Sequence, residues 1–96
     1  MEVLVAYDVA TEDAAGRRRL RRVAHVCEAY GQRVQKSVFE CVIGDADLEV
    51  LIARLRDEID ESTDSIRIYR LREPLDRHLR TYGVPPRFDQ REPLIF

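Results

Sequence analysis

The strongest constraint on the fold is the order in which apolar periodicity switches along the chain: strand-like, helical, strand-like twice, helical, strand-like. Val3-Leu4-Val5-Ala6-Tyr7 is a short apolar run with β-branched and aromatic members, the pattern of a central strand covered on both faces, and it stops at Asp8. Thr11-Glu12-Asp13 then offers capping groups and first-turn carboxylates. Behind them Leu20, Val23, Ala24, Cys27 and Tyr30 recur at three- and four-residue intervals, which predicts an amphipathic helix ended by Gly31. Arg33 to Lys36 and Ser37 to Ile43 read as two short strands or one bent ribbon, with Phe39, Cys41 and Ile43 on a common face. Gly44 and Asp45 close that segment. Leu48, Leu51, Ile52, Leu55 and Ile59 predict a second helix over 46–59, with Asp45 or Asp47 as its cap. Residues 62–64 form a turn, and Ser65-Ile66-Arg67-Ile68-Tyr69-Arg70-Leu71 alternates as a half-exposed strand does.

The resulting order, β-α-β-β-α-β, is that of a ferredoxin-like α+β domain: an antiparallel sheet with two helices on one face and the first strand in a central position. The 96 residues allow one hydrophobic core, so 1–96 reads as a single domain with its core in 1–72. Residues 73–96 read as an extension that docks on a dimer partner or on its own domain, its stretch up to Gln90 polar and carrying Pro74, Pro85 and Pro86. The extension closes on Pro93-Leu94-Ile95-Phe96, three large apolar residues in a row, which suit an extra strand added to a sheet edge. Dimerisation is a natural way for so small a domain to add buried area.

No apolar stretch approaches the ~20 residues of a membrane span, and the first residues lack the basic and apolar regions of a signal peptide, so a soluble chain with no membrane partner is expected. Cys27 and Cys41 fall on predicted apolar faces without metal or redox spacing, which suggests buried reduced thiols in a reducing cytoplasm. The net charge of −2 excludes binding to phosphates through overall basicity, but the distribution is uneven. Of the 16 basic residues all but Lys36 are arginine, whose planar fork binds phosphate in a bidentate manner. Arg17, Arg18, Arg19, Arg21 and Arg22 crowd into six residues of the first helix. Like charges on adjacent turns repel, so the cluster calls for phosphates or carboxylates to neutralise it, although Glu12, Asp13 and Glu28 could do part of this.

Asp8 leaves the end of the first strand, where a rigid platform projects side chains toward loops. Two roles are open on pattern alone. It can cap the turn into the first helix, or it can serve as a ligand for a hard divalent ion such as Mg²⁺. One carboxylate is too little for such an ion, and a two-fold axis nearby would supply the second. His25 and His78 lack a partner at zinc spacing, and phosphate-binding Gly loops, G-x-S-x-G turns and H-E-x-x-H pairs do not occur. Metal-assisted chemistry or binding remains.

Tyr7-Asp8-Val9 after an apolar strand, the arginine-rich helix, and Tyr30-Gly31-Gln32-Arg33-Val34-Gln35-Lys36-Ser37-Val38-Phe39-Glu40-Cys41 together resemble the CRISPR-associated protein 2 family. The resemblance runs from the first strand through Tyr69, and the closing Pro93-Leu94-Ile95-Phe96 is similar to the branch found with type I-C systems. It implies a prokaryotic cytoplasmic protein of antiviral defence: a homodimer whose sheets face each other, with the C-terminal segment adding a strand to the partner. It further implies a metal-dependent endonuclease hydrolysing single-stranded RNA or double-stranded DNA, with Asp8 as catalytic and metal residue and Mg²⁺ (or Mn²⁺) as cofactor. Tyr7, Arg33 and Phe39 then match positions supporting the active site, and helix arginines such as Arg19 and Arg22 match phosphate contacts. Phe39 reads as a core aromatic ahead of any direct substrate contact, because Cys41 and Ile43 share its face. The resemblance carries a second role, that of a non-catalytic adaptor holding duplex DNA between dimers of the integrase CRISPR-associated protein 1.

Overall fold

Residues 1–84 are described by a computed structural model. The chain runs β1 (Glu2–Asp8), α1 (Ala14–Glu28), β2 (Gln32–Gln35), β3 (Val38–Val42), α2 (Asp45–Glu58), β4 (Ser65–Leu71) and a short α3 (Leu75–His78). The four strands form one sheet in the order β2-β3-β1-β4. β1 pairs antiparallel with both β3 and β4, and β2 with β3, so the expected α+β ferredoxin-like arrangement is present with β1 inside it.

The core lies on one side of that sheet. Val3, Val5 and Tyr7 of β1 and Phe39 and Cys41 of β3 meet Val23, Val26 and Cys27 of α1 and Leu51 and Leu55 of α2, all buried. This corrects the expectation that β1 is covered on both faces. Leu4 and Ala6 are only half-buried, and Val42 and Tyr69 on the same face are 78% and 42% exposed. Both helices return to one side of an antiparallel sheet, and strand alternation sends every second side chain to the other.

Local punctuation also differs from the sequence reading. Asp13 caps α1, its Oδ1 accepting from the Gly16 amide at 2.7 Å, but the first turn holds no acidic residue because Glu12 and Asp13 both precede it. Gly31 does not end the helix through a left-handed conformation, since Gly83 alone has positive φ among the described residues. The helix closes through Ala29, and Gly31 is required because a Cβ there would collide with Cys41 Sγ and the Glu40 carbonyl. For α2 the N-cap is Gly44 with no side-chain cap hydrogen bond. Asp45 and Asp47 sit inside the first turn, where they favour the positive end of the helix dipole.

The extension is not wholly irregular. α3 lies within it, and the Leu75 amide donates to Glu2 Oε2 at 2.9 Å, tying the start of the extension to the start of β1. The C-terminal motif at 93–96, the added strand and the type I-C assignment that rests on it lie outside the described residues. Among the described residues no helix is long and apolar enough to cross a membrane.

Candidate nucleic-acid and metal site

Asp8 is the last residue of β1, exposed, and opposite Ser65 in the β1–β4 register. It follows buried Tyr7 in an alternating strand, so its carboxylate belongs to the uncovered face. The helix cap is taken by Asp13, which removes that reading of Asp8. Among the described residues no three His, Cys, Asp or Glu side chains converge as a metal cage. A second Asp8 across a two-fold axis would add a second carboxylate to the set, of the hard oxygen type that suits Mg²⁺ or Mn²⁺.

Tyr7, Arg33 and Phe39 do come together, but on the other face. The Tyr7 and Phe39 rings stack with centroids 6.2 Å apart, and the Arg33 guanidinium lies 5.0 Å from the centre of the Phe39 ring. All three are buried. The Tyr7 hydroxyl donates to the Lys36 carbonyl at 3.2 Å, and burial pushes its pKa up to about 12. These residues stand behind the end of β1 as a packed support, and none shares the solvent with Asp8.

The helix arginines divide. Arg19 points inward: its Nε donates to Asp64 Oδ2 at 2.8 Å. The guanidinium expected to contact phosphate is thus paired with a carboxylate within the fold. Arg18, Arg21 and Arg22 are exposed. Arg17, also exposed, donates to the Thr11 carbonyl at 3.3 Å. At helical spacing Arg18 and Arg22 fall on one ridge and Arg17 and Arg21 on the next, a double row of forks.

Asp64, which the sequence offered only as part of a turn, is a buried charge. Its oxygens accept from Arg19, from the Ala10 amide at 3.0 Å, from the Asp60 amide at 2.9 Å and from Thr63 Oγ1 at 3.1 Å. Burial by itself would raise its pKa, but the Arg19 fork and then the two amides and the hydroxyl hold the carboxyl well below the usual range. The one sequence signal was an acidic residue directly before a strand whose first residue faces Asp8. Cys27 and Cys41 are free, buried thiols; burial pushes Cys27 up to about 12, which leaves it unreactive.

Comparison with known proteins completes the description. The family model described as CRISPR associated protein Cas2 matches residues 1–78. The chain is 54% identical over 95 residues to a CRISPR-associated endoribonuclease Cas2 of Moorella thermoacetica, covering 99% of each protein. It is 47% identical over 96 residues to a CRISPR-associated endonuclease Cas2 of Halalkalibacterium halodurans, covering all of both. Among solved structures, Cas2 of Streptococcus pyogenes at pH 6.5 superposes with a TM-score of 0.78 at 54% identity, covering 86% of this chain and all of that one.

Proposed function

The chain belongs to the CRISPR-associated Cas2 family, and from that premise we propose that it is a divalent-ion-dependent endonuclease of spacer acquisition, acting as a homodimer on phosphodiester bonds of single-stranded RNA or double-stranded DNA. The observation that carries the reading is an exposed carboxylate, Asp8, leaving the central part of the sheet on its uncovered face. Two chains meeting through that face bring one Asp8 each to a common axis, and both of the named relatives are nucleases.

In this arrangement the two Asp8 carboxylates would hold a divalent ion through their oxygens. The chemistry such an ion would supply there is Lewis acidity toward the phosphodiester and toward the attacking water. Arg17, Arg18, Arg21 and Arg22 grip the flanking phosphates and set the strand's register. The Tyr7–Phe39–Arg33 stack keeps the end of β1 rigid from behind, so Asp8 is displayed without reorganisation at the moment of reaction.

Cleavage of labelled RNA and duplex DNA by wild type and Asp8→Asn, each with Mg²⁺, Mn²⁺ or EDTA, tests this directly. The swap is nearly isosteric and deletes only the anionic ligand. Metal-dependent cleavage is expected in the wild type and a loss of at least a hundredfold in the variant; equal cleavage by both would reject the assignment.

A second reading is favoured by the exposed double row of arginines on α1, which needs no catalytic carboxylate. In that reading the dimer is an adaptor that holds duplex DNA for the integrase CRISPR-associated protein 1. Its signature is binding that persists in Asp8→Asn and falls, with its salt dependence, in Arg18→Glu/Arg22→Glu.

A further inference from the structure

We propose that Asp64 is a positioning residue for Asp8, its buried carboxylate clamping the backbone two residues beyond Asp8 to the loop that leads into Ser65, the residue opposite Asp8 in the sheet. The inference rests on the reading of Asp8 as an ion ligand.

Asp64 gathers three separate segments. The Ala10 amide reaches Oδ1 from the connection between β1 and α1, Arg19 reaches Oδ2 from α1, and the Asp60 amide reaches Oδ2 from the connection between α2 and β4. Its side chain has no solvent exposure, and that of Arg19 has 21%, so water competes little for these bonds. The Asp8–Ser65 pair is the last rung of the β1–β4 ladder. A terminal rung frays first, and here the clamp lies immediately beyond it on both strands. Gly16 supports the same connection: a Cβ there would strike the Ala10 carbonyl, so α1 lies directly against the backbone that Asp64 holds.

Two-fold symmetry makes such a clamp matter. A displacement of Asp8 in one copy is repeated in the other, so the separation of the paired carboxylates changes twice as fast as the position of either. Ligand groups must be held within about 0.5 Å of productive geometry. Residues that orient a metal's ligands in this way typically contribute roughly ten- to a hundredfold to affinity or activity.

The test uses the full-length dimer, with Asp64→Asn, Arg19→Gln and Arg19→Lys compared at a temperature where circular dichroism shows each fully folded. Mn²⁺ affinity is titrated, kcat and KM are separated, and hydrogen exchange is followed at the Ala10 and Asp60 amides. We expect Asp64→Asn to weaken Mn²⁺ binding and lower kcat by roughly ten- to a hundredfold, with KM within about twofold and faster exchange at both amides. Arg19→Lys, which keeps the charge, should recover part of what Arg19→Gln loses. Wild-type Mn²⁺ affinity in folded Asp64→Asn, or a rise in KM with unchanged kcat, overturns the inference. Should Asp64→Asn fail to fold, Arg19→Gln decides on the same readouts. Asp8→Asn in the same titration separates the two claims. If it loses the ion while Asp64→Asn and Arg19→Gln keep it, the positioning role alone falls; if it binds Mn²⁺ as wild type does, the ligand reading falls and takes this inference with it.

Discussion

Asp64, held by its hydrogen-bond partners, and Tyr7, raised by burial, both couple stability to pH, and their signs are opposite. The Asp64 carboxyl titrates below its ordinary value of 3.8 in the folded chain. Its stabilisation is therefore complete above about pH 4 and is lost as pH falls toward the depressed folded value. Asp64→Asn should cost about 3 kcal/mol at pH 7, because it leaves Arg19 and two backbone donors short of a charged acceptor. In urea unfolding at stepped pH, the gap between wild type and variant should close as the pH drops below 4. Tyr7 is raised from 10.0 to about 12 by burial, so its contribution is complete below pH 10 and is lost between pH 10 and 12. Tyr7→Phe should cost about 1 kcal/mol at neutral pH through the lost bond to Lys36, and should lose less than wild type on going from pH 9 to pH 12.

At the scale of elements, α1 carries two conflicts between local preference and tertiary demand. Gly16 lies in the first turn, where helix propensity alone would favour alanine by about 1 kcal/mol. The Ala10 carbonyl blocks any Cβ at that position, and such overpacking typically costs about 1–3 kcal/mol, so Gly16→Ala should lower the thermal midpoint despite its better propensity. The arginine rows are the second conflict. Arg18 and Arg22 are like charges four residues apart, and such pairs destabilise a helix by roughly 0.2–0.5 kcal/mol. Arg22→Gln should therefore stabilise the free protein by a few tenths of a kcal/mol while weakening nucleic-acid binding, and the slope of log affinity against log salt should become shallower by about one. A variant that is no more stable, or a salt slope that does not move, would argue that the row is already neutralised within the protein.

At the scale of the whole molecule, the sheet presents Leu4, Ala6, Val38, Val42 and Tyr69 on a face that neither α1 nor α2 covers. A domain of this size gains most by sharing such a face with a second copy, which is also what brings two Asp8 carboxylates together in the proposed site. Leu4→Glu places a charge at the centre of that face without touching the packed core. By sedimentation equilibrium it should shift the protein from dimer toward monomer, and cleavage should fall with the dimer fraction. A fully dimeric Leu4→Glu would place the subunit contact elsewhere.

The order of elements, the amphipathic faces of α1 and α2, the alternation of β4 and the place of Asp8 at a strand end were all legible in the sequence, because periodicity and chain order record which residues a regular element turns inward. The resemblance of Tyr7-Asp8 and of the stretch from Tyr30 to Cys41 to a known family was legible too. What tertiary structure alone decided concerns sides and partners. The β-α-β-β-α-β order already placed both helices on one face, but the apolar run of β1 read by itself as covered on both, and only the assembled sheet shows which of its side chains lie on the open face. Tyr7, Arg33 and Phe39 were singled out together, yet only the β1–β3 pairing and the covered face turn them into a stack behind Asp8. Arg19 looked like its four neighbours, and Asp64 looked like a turn residue. A pairing between positions 45 apart in the chain leaves no periodic trace, and it forms because a carboxylate stripped of water by packing must be met by whatever donors the fold brings to it.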